Sequence, residues 1–318
     1  MALLGRLVVA AMPLAPKFIV RMVASRYVAG SNLEDAVSTM NNLSSEGACF
    51  TVDVLGEEIR SLEEAEFFLN EYSMLIDSIS KNNIDAHISI KPTAFGLLID
   101  PETAFQNILN ITRKASENDI FVRLDMEDSR VTDSTIELML KIRSEGIDNI
   151  GVVLQGRLLR TTSDILEICG ILGPKADFRI CKGIYLEPGE IAHTGYKEIV
   201  EATNQAIESM MASGAYTAIA SHDYPVINHS LSLLEKYDLF PDSENIPFPG
   251  KGPGYEFQFL LGVRGDLRRK LAKEGHLTRI YVPYGSQWYE YGIRRLNENP
   301  EVATHVLKAI LLPWTNRR

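Results

Sequence analysis

The 318-residue sequence predicts a (β/α)8 barrel, and three observations support this fold class. Eight short runs rich in β-branched and aromatic residues recur along the chain. Helical segments, with apolar residues three to four positions apart, separate these runs. Strand–helix alternation requires parallel strands, and eight such units are typical of a closed barrel. A doubly wound sheet is the competing fold, but no GxGxxG motif follows the first strand.

The predicted strands and helices alternate from residue 49 onward. The strands are expected at 49–56, 87–93, 121–126, 149–156, 178–185, 216–223, 255–262 and 278–285. Helices between them are predicted by segments such as SLEEAEFFLNEYSMLIDSIS (61–80), DSTIELMLKIRSEG (133–146) and RGDLRRKLAKEG (264–275). The segment 240–254, rich in Pro and Gly, is interpreted as a connector on the rim opposite the site.

The chain is expected to form one domain, with helices at both ends of the barrel. The segment NLEDAVSTMNNLSSEG (32–47) predicts a helix before the first strand, and a final helix is predicted over 287–299, ended by Pro300. The predicted division of residues 1–318 is an N-terminal helical segment (1–48), the barrel with its final helix (49–299) and a C-terminal tail (300–318).

Composition excludes several classes of function. A net charge of −10 and a pI near 5.2 argue against nucleic-acid binding, which normally needs a basic surface. Cys49, Cys169 and Cys181 lack CxxC spacing and a neighbouring His cluster, so we expect reduced thiols in a cytoplasmic protein and no metal site.

The apolar N-terminus raises the question of targeting. Pro13 and Pro16 interrupt its apolar runs, which are too short to span a bilayer. A signal peptide is the alternative, because small residues follow the apolar run. We expect instead an amphipathic helix that packs on the body or contacts a membrane surface peripherally.

Polar side chains stand at the predicted carboxyl ends of the strands, where barrel enzymes place their chemistry. Each taken singly has an ordinary structural explanation, but burying several ionisable groups on one rim without partners is costly. Arginines nearby favour an anionic ligand, and Gly183 allows close approach to the backbone. The strand-end residues are Lys91, Asp125, Gln155, Lys182, His222 and Tyr281.

The residue types alone leave the reaction open. A lysine at a strand end can form a Schiff base, so an aldolase using Lys182 or Lys91 and a cofactor-dependent enzyme both remain candidates. The adjacent Arg294 and Arg295 point about 100° apart on a helix, with Glu298 within reach of either. A solvated helix face would have the same pattern.

Six motifs along the chain are informative together. They are FVRLDMEDS, VVLQGRLLRT, RICKGIYLEPGEIAH, ASHD, EFQFLLGVR and RIYVPYGSQWYEYGIRRLNENP. In this order they resemble the motifs of the proline dehydrogenase family, the FAD enzymes of proline catabolism. The similarity extends from about RYVAGSNLEDA to RRLNENP, and the compact length resembles the monofunctional bacterial enzymes.

The resemblance implies a distorted (β/α)8 barrel whose final helix lies over the mouth. It assigns Arg294 and Arg295 to the proline carboxylate and Glu298 to holding the site. It implies that Tyr281 packs on the proline ring, and it makes Asp125 and Arg179 the candidate catalytic residues. The remaining substrate positions are Lys91, Tyr185 and Leu260.

The resemblance also implies a set of FAD-binding residues. Arg179 and Gln155 are the candidates for tuning the flavin. Two positions depart from the family: Ser221 replaces a threonine, and Ser31 stands where some relatives carry a glutamate that pairs with the first arginine. The full flavin set is Met126, Gln155, Arg179, Lys182, Gly183, Ile184, Ser221 and His222.

The function implied is the oxidation of L-proline to Δ1-pyrroline-5-carboxylate, with FAD as cofactor and a membrane quinone as electron acceptor. Two alternatives remain beside it: the lysine Schiff-base aldolase, and a non-catalytic barrel that binds amino acids.

Overall fold

The computed structural model describes residues 21, 25–243, 246–289 and 291. Eight strands form a closed barrel in the order β1 to β8, and all neighbouring pairs are parallel, including β8 with β1. The predicted fold class is therefore confirmed. The strands are β1 (Cys49–Val54), β2 (Ala86–Ile90), β3 (Val122–Leu124), β4 (Ile150–Gln155), β5 (Asp177–Cys181), β6 (Tyr216–Ala220), β7 (Tyr255–Leu260) and β8 (Thr278–Tyr284).

Helices follow the strands and cover the outside of the barrel. They are α1 (Leu33–Ser44), α2 (Ala65–Lys81), α3 (Pro101–Ser116), α4 (Thr132–Ser144), α5 (Thr161–Leu172), α6 (Tyr196–Ala212), α7 (Tyr224–Lys236) and α8 (Gly265–Lys273). Short 3-10 turns occur at Leu62–Glu64, Pro92–Phe95, Ser129–Val131 and Gly173–Lys175.

Local sequence explains where the helices start. The Asp100 carboxylate accepts a hydrogen bond from Glu102 N, and Pro101 takes the first helical position of α3, where no N–H partner is needed. Asn32 caps α1 in the same way through Asp35 N. The predicted final helix lies mostly outside the described residues. Of its described positions, Trp288, Tyr289 and Tyr291 are helical.

The main apolar core lies between the barrel wall and the helices. It contains residues such as Phe50, Leu75, Ile108, Phe178 and Val226, all fully buried. The wall itself is buried on both faces, as expected for parallel strands. Among the described residues, no helix is both long and apolar enough to cross a membrane.

Residues 240–243 and 246–254, the described part of the predicted connector, lie at the amino-terminal end of the barrel, opposite the carboxyl ends of the strands. Lys251 is buried there and forms an ion pair with Asp177 at the start of β5. Its ammonium also lies 3.3 Å from the centre of the Phe121 ring. The predicted connector therefore also closes the barrel floor, which composition alone did not indicate.

Candidate functional site

A cavity of about 700 Å³ opens at the carboxyl ends of the strands. This volume is within the range of small-molecule and cofactor sites. Strand ends and the loops that follow them supply its wall, so the barrel geometry brings together residues far apart in sequence. We call this cavity the mouth.

Arg179 on β5 is the centre of the polar network beneath the mouth. Its Nη1 donates to Asp125 Oδ1 at 2.7 Å, and its Nη2 donates to Ser89 Oγ at 2.9 Å. Its Nε donates to Gln258 Oε1 at 2.5 Å. These partners come from β2, β7 and the end of β3, so the side chain crosses the barrel interior. Burial lowers the pKa of Arg179, although Asp125 acts in the opposite direction.

Asp125 joins Arg179 to Tyr281 and Lys91. Its Oδ2 accepts a hydrogen bond of 2.7 Å from the Tyr281 hydroxyl and lies 4.0 Å from Lys91 Nζ. Burial raises the pKa of Tyr281 well above its ordinary value, and the Asp125 charge adds to this effect. Tyr281 is therefore a protonated donor at neutral pH.

Lys91 is held by two carboxylates. Its Nζ donates to Asp53 Oδ1 at 2.6 Å, with Asp125 farther away. Burial opposes the charge on Lys91, but Asp53 and Asp125 outweigh it and raise its pKa. Burial in turn raises the pKa of Asp53, with the Lys91 charge opposing the shift. Lys91 is thus a cation and not a neutral nucleophile.

Gln155 and Gly183 form a close-packed cradle on another side of the mouth. Gln155 Nε2 donates to the Glu127 carbonyl at 2.7 Å, while Oε1 is buried with no hydrogen-bond partner in the described structure. Gly183 has φ of +95°, and a Cβ there would lie 2.6 Å from Gln155 Oε1. Only glycine fits this backbone position without strain.

Lys182, Ser221 and His222 lie at the ends of β5 and β6. Lys182 Nζ forms an ion pair of 2.7 Å with Asp223, which also accepts from the Tyr196 hydroxyl at 2.9 Å. His222 Nε2 accepts from the backbone N–H of Leu260 at 2.9 Å. The Ser221 hydroxyl accepts from Asp223 N at 3.2 Å.

Every predicted site residue that the structure describes lines the mouth. These residues are Lys91, Asp125, Met126, Gln155, Arg179, Lys182, Gly183, Ile184, Tyr185, Ser221, His222, Leu260 and Tyr281. Arg294, Arg295 and Glu298 lie outside the described residues. Lining the mouth is compatible with the assigned roles, which remain predictions.

Ser31 does not line the mouth in the described structure; its backbone N–H donates to Asp35 Oδ2 at 3.2 Å. Glu57, from the loop after β1, does line the mouth and supplies a carboxylate there. It was missed because it follows a glycine and lies beyond the apolar run that marked the strand end. A carboxylate at the mouth therefore does not depend on position 31.

Sequence reasoning also missed Asp53, Gln258 and Tyr291. Gln258 and Tyr291 line the mouth, and Asp53 lies beneath it with its carboxylate on Lys91. Asp53 and Gln258 stand between apolar neighbours inside predicted strands, a position that by itself predicts part of the packed wall and not a site. Their signal was the alternation of polar residues within the strands, which places them inside the barrel.

Acidic, histidine and cysteine side chains do not gather into a group able to bind a metal ion within the described part of the chain. Cys49 is buried, and Cys169 and Cys181 are partly buried; all three are free thiols. Burial raises the pKa of Cys181 to about 11, so its thiol is protonated at neutral pH.

Comparison with known proteins agrees with the geometry of the mouth. Residues 36–308 match the family model described as proline dehydrogenase. Proline dehydrogenase 1 of Bacillus subtilis subsp. natto is 34% identical over 291 residues, covering 92% of this chain and 91% of that protein. Proline dehydrogenase of Deinococcus radiodurans is 31% identical over 293 residues, covering 91% and 90% respectively.

A solved structure shows the same fold. The crystal structure of proline utilization A (PutA) from Bdellovibrio bacteriovorus, inactivated by N-propargylglycine, aligns with a TM-score of 0.79 over 88% of this chain. Sequence identity is 21%, and the present chain spans 33% of that protein. The similarity at this level is one of fold.

Proposed function

The chain belongs to the proline dehydrogenase family, and we propose that it oxidises L-proline to Δ1-pyrroline-5-carboxylate at the barrel mouth, with FAD as bound cofactor and a quinone as electron acceptor. The observation that carries this proposal is the agreement between the family match and the mouth. Residues at the carboxyl ends of seven strands, β2 to β8, predicted separately as substrate or flavin positions, line one cavity.

The residues present fit a flavin. Gln155 Oε1 is a buried acceptor without a partner in the described structure, and the absence of a Cβ at Gly183 lets the Gln155 side chain pack directly against the backbone that lines the mouth. Lys182 and His222 are polar groups on the same wall that can face phosphate or ribityl oxygens. Met126, Gln155, Arg179, Lys182, Gly183, Ile184, Ser221 and His222 would hold FAD, which supplies a two-electron acceptor when bound.

The substrate side fits a small zwitterion with an apolar ring. Tyr281, Tyr185 and Leu260 offer apolar surface for the ring. Arg294 and Arg295, on the predicted final helix, would bind the carboxylate as a planar two-donor pair, with Glu298 holding them. Their roles rest on the resemblance, since they lie outside the described residues.

The buried cations beneath the mouth are paired with carboxylates. Lys91 pairs with Asp53 and Arg179 with Asp125, and the two predicted arginines would add the positive charge that faces the proline carboxylate. Asp125 is held by Arg179 and Tyr281 and keeps this arrangement fixed around the reacting carbon.

The lysine aldolase is not favoured. Schiff-base formation needs a neutral amine, whereas the pKa of Lys91 is raised by its carboxylate neighbours. Lys182 is engaged by Asp223 in an ion pair of 2.7 Å. Both candidate nucleophiles are therefore paired cations.

A quinone acceptor would bring the protein to a membrane surface. The chain carries no GxGxxG fingerprint for a nicotinamide dinucleotide after its first strand. The loop after β5, which supplies Ile184 and Tyr185 to the mouth, also exposes Leu186 to 93%. Single exposed apolar side chains are common on protein surfaces, so the quinone acceptor and the peripheral membrane contact rest on the family resemblance.

The visible spectrum of the purified protein tests the proposal. We expect a flavin spectrum that bleaches when L-proline is added without oxygen, and reduction of a soluble quinone analogue but not of NAD⁺. Heat or acid should release the flavin, because no covalent attachment is predicted. A colourless protein that binds no added FAD would refute the cofactor assignment.

A further inference from the structure

The interior of the barrel contains buried polar side chains at alternate positions of several strands. Glu256 and Gln258 take such positions on β7, and Arg279 and Tyr281 take them on β8. Barrel interiors are usually filled by branched apolar residues. Polar side chains inside a barrel whose strands are buried on both faces therefore call for an explanation.

Gln258 lies between two groups with opposite hydrogen-bonding requirements. Arg179 Nε donates to its Oε1 at 2.5 Å, and its Nε2 donates to Glu256 Oε1. A guanidinium has only donors, and a carboxylate has only acceptors. The amide of Gln258 therefore has one allowed orientation. A flipped amide would place its NH2 group against the Arg179 donor and its oxygen against the Glu256 carboxylate.

Glu256 is itself fixed from below. Its carboxylate accepts from Arg279 Nε at 2.9 Å, from Arg279 Nη2 at 3.0 Å and from the Tyr216 hydroxyl at 2.8 Å. Arg279 is fully buried and also donates to the Phe50 carbonyl at 2.8 Å. This set forms a rigid base at the barrel floor, from which Gln258 reaches up to Arg179.

We propose that Gln258 is a positioning residue for Arg179, and that the Glu256–Arg279 pair fixes Gln258 in the one amide orientation that can do this. The Nε bond sets the rotation of the guanidinium, so that Nη1 faces Asp125 and Nη2 faces Ser89. The catalytic consequence rests on the proposed function of Arg179 at the mouth.

The alternative is that the polar chain serves only to pack the barrel interior. In that case the loss of Gln258 only lowers stability. A variant elsewhere in the protein that is destabilised by the same amount would then change hydrogen exchange at the Arg179 Nε–H to the same degree. A positioning role predicts instead a local effect on the Arg179 Nε–H, which depends on the acceptor at position 258. The two views therefore differ in a measurement that does not require activity.

The test uses the full-length protein labelled with ¹⁵N-arginine. The Arg179 Nε–H resonance is assigned by its absence in Arg179→Lys, and its hydrogen exchange is measured in Gln258→Met and Gln258→Glu. Ile227→Ala, in the outer helix α7, is the control for lost stability, since Ile227 is buried away from the mouth. Steady-state kinetics with proline and flavin occupancy are recorded on the same samples.

We expect Gln258→Met to speed exchange at least tenfold and to lower kcat per bound flavin at least tenfold. Gln258→Glu keeps an acceptor for Nε, so its exchange should stay within threefold of wild type. Should Gln258→Glu fail to fold beside Glu256, the comparison of Gln258→Met with Ile227→Ala decides alone. Wild-type exchange in Gln258→Met, or equal acceleration in Ile227→Ala, overturns the proposal.

Failure of the proposed function gives a different result. A wild-type protein that is not bleached by proline refutes proline oxidation, yet the exchange measurement still reports whether Gln258 holds Arg179. Conversely, unchanged exchange in a proline-active enzyme refutes the positioning role alone.

Discussion

The Tyr281 hydroxyl donates to Asp125 Oδ2 at 2.7 Å, and this bond fixes an aromatic wall of the mouth against a buried carboxylate. The same carboxylate binds Arg179 through its other oxygen at 2.7 Å, and the guanidinium carbon lies 5.4 Å from the centre of the Tyr281 ring. The ring of Tyr281 is therefore held from its hydroxyl end and along its face. A wall fixed in this way can select substrates by shape.

Substrate selectivity at Tyr281 is the first prediction. If the ring of Tyr281 packs on the proline C3–C4 edge, as the resemblance implies, it leaves little room for a 4-hydroxyl, so trans-4-hydroxy-L-proline should be the poorer substrate. Tyr281→Ser should narrow the ratio of kcat/KM between the two substrates. Tyr281→Phe is the control: it keeps the ring and should keep the ratio, while losing roughly tenfold or more in kcat/KM with the bond to Asp125. An unchanged ratio in Tyr281→Ser refutes the assigned role.

Flavin retention by Gly183→Ala is the second prediction. A Cβ at this position would lie 2.6 Å from Gln155 Oε1 and 2.9 Å from Arg157 Cδ, on a backbone with φ of +95°. We expect the cradle to shift and FAD affinity to fall about tenfold or more, since overpacking of this kind costs about 1–3 kcal/mol. The measurement is flavin per polypeptide after dialysis.

Gly146→Ala is the matched control for this prediction. Gly146 has a similar φ of +82°, but an added Cβ meets nothing within 4 Å. It carries the backbone strain without the clash, so its flavin content should match wild type. Equal flavin loss in both variants would show that strain alone, and not the cradle, is responsible.

The barrel wall could be predicted from sequence because its signal is local. Each strand carries β-branched or aromatic residues between turn residues, as in FRICKGIY around β5, and the strand ends follow directly. The predicted strands extended one to four residues beyond the observed carboxyl ends, as with 216–223 against Tyr216–Ala220. Those extra residues are the loops that carry Ser221 and His222.

The polar interior could not be predicted in the same way, because its partners come from distant strands. Arg179 meets Gln258 and Ser89, which are 79 and 90 residues away in the chain. Within one strand, the alternation of Glu256 and Gln258 resembles an ordinary half-exposed strand. Only barrel closure, with helices on the outer face, makes the polar face the interior one.

The paired arginines provide the third prediction. If Arg294 and Arg295 both bind the proline carboxylate, substitution of either by Met removes a charge-assisted hydrogen bond worth about 1.5–3 kcal/mol. This corresponds to a loss of roughly ten- to 150-fold in kcat/KM, with KM for proline rising. Lysine should not restore full activity, because it cannot reproduce the planar two-donor geometry.

Flavin occupancy distinguishes substrate binding from a general defect in these variants. It should fall less than kcat/KM, since the pair is assigned to the substrate. A solvated helix face predicts instead a change below about 0.5 kcal/mol in stability and no change in KM. Wild-type KM in both Met variants would favour that reading.

The pH dependence of stability provides the last prediction, through Lys251 at the barrel floor. Burial lowers the pKa of Lys251 to about 7, although the carboxylate of Asp177 opposes the shift. A lysine in the unfolded chain titrates near 10.4. Between these values the unfolded chain binds more protons than the folded one, so the contribution of Lys251 to stability rises with pH.

We therefore expect the free energy of unfolding to increase between pH 7 and pH 9 by on the order of 1–3 kcal/mol more in wild type than in Lys251→Met. Met keeps a side chain of similar length beside Phe121 and Tyr216, although it loses the cation–π interaction with their rings. Asp177 is not left unpaired in the variant, because Arg123 also binds it. Urea unfolding at pH 7, 8 and 9 measures both slopes. Parallel slopes would mean that Asp177 keeps Lys251 charged in the folded protein across this range, and that the ion pair outweighs burial.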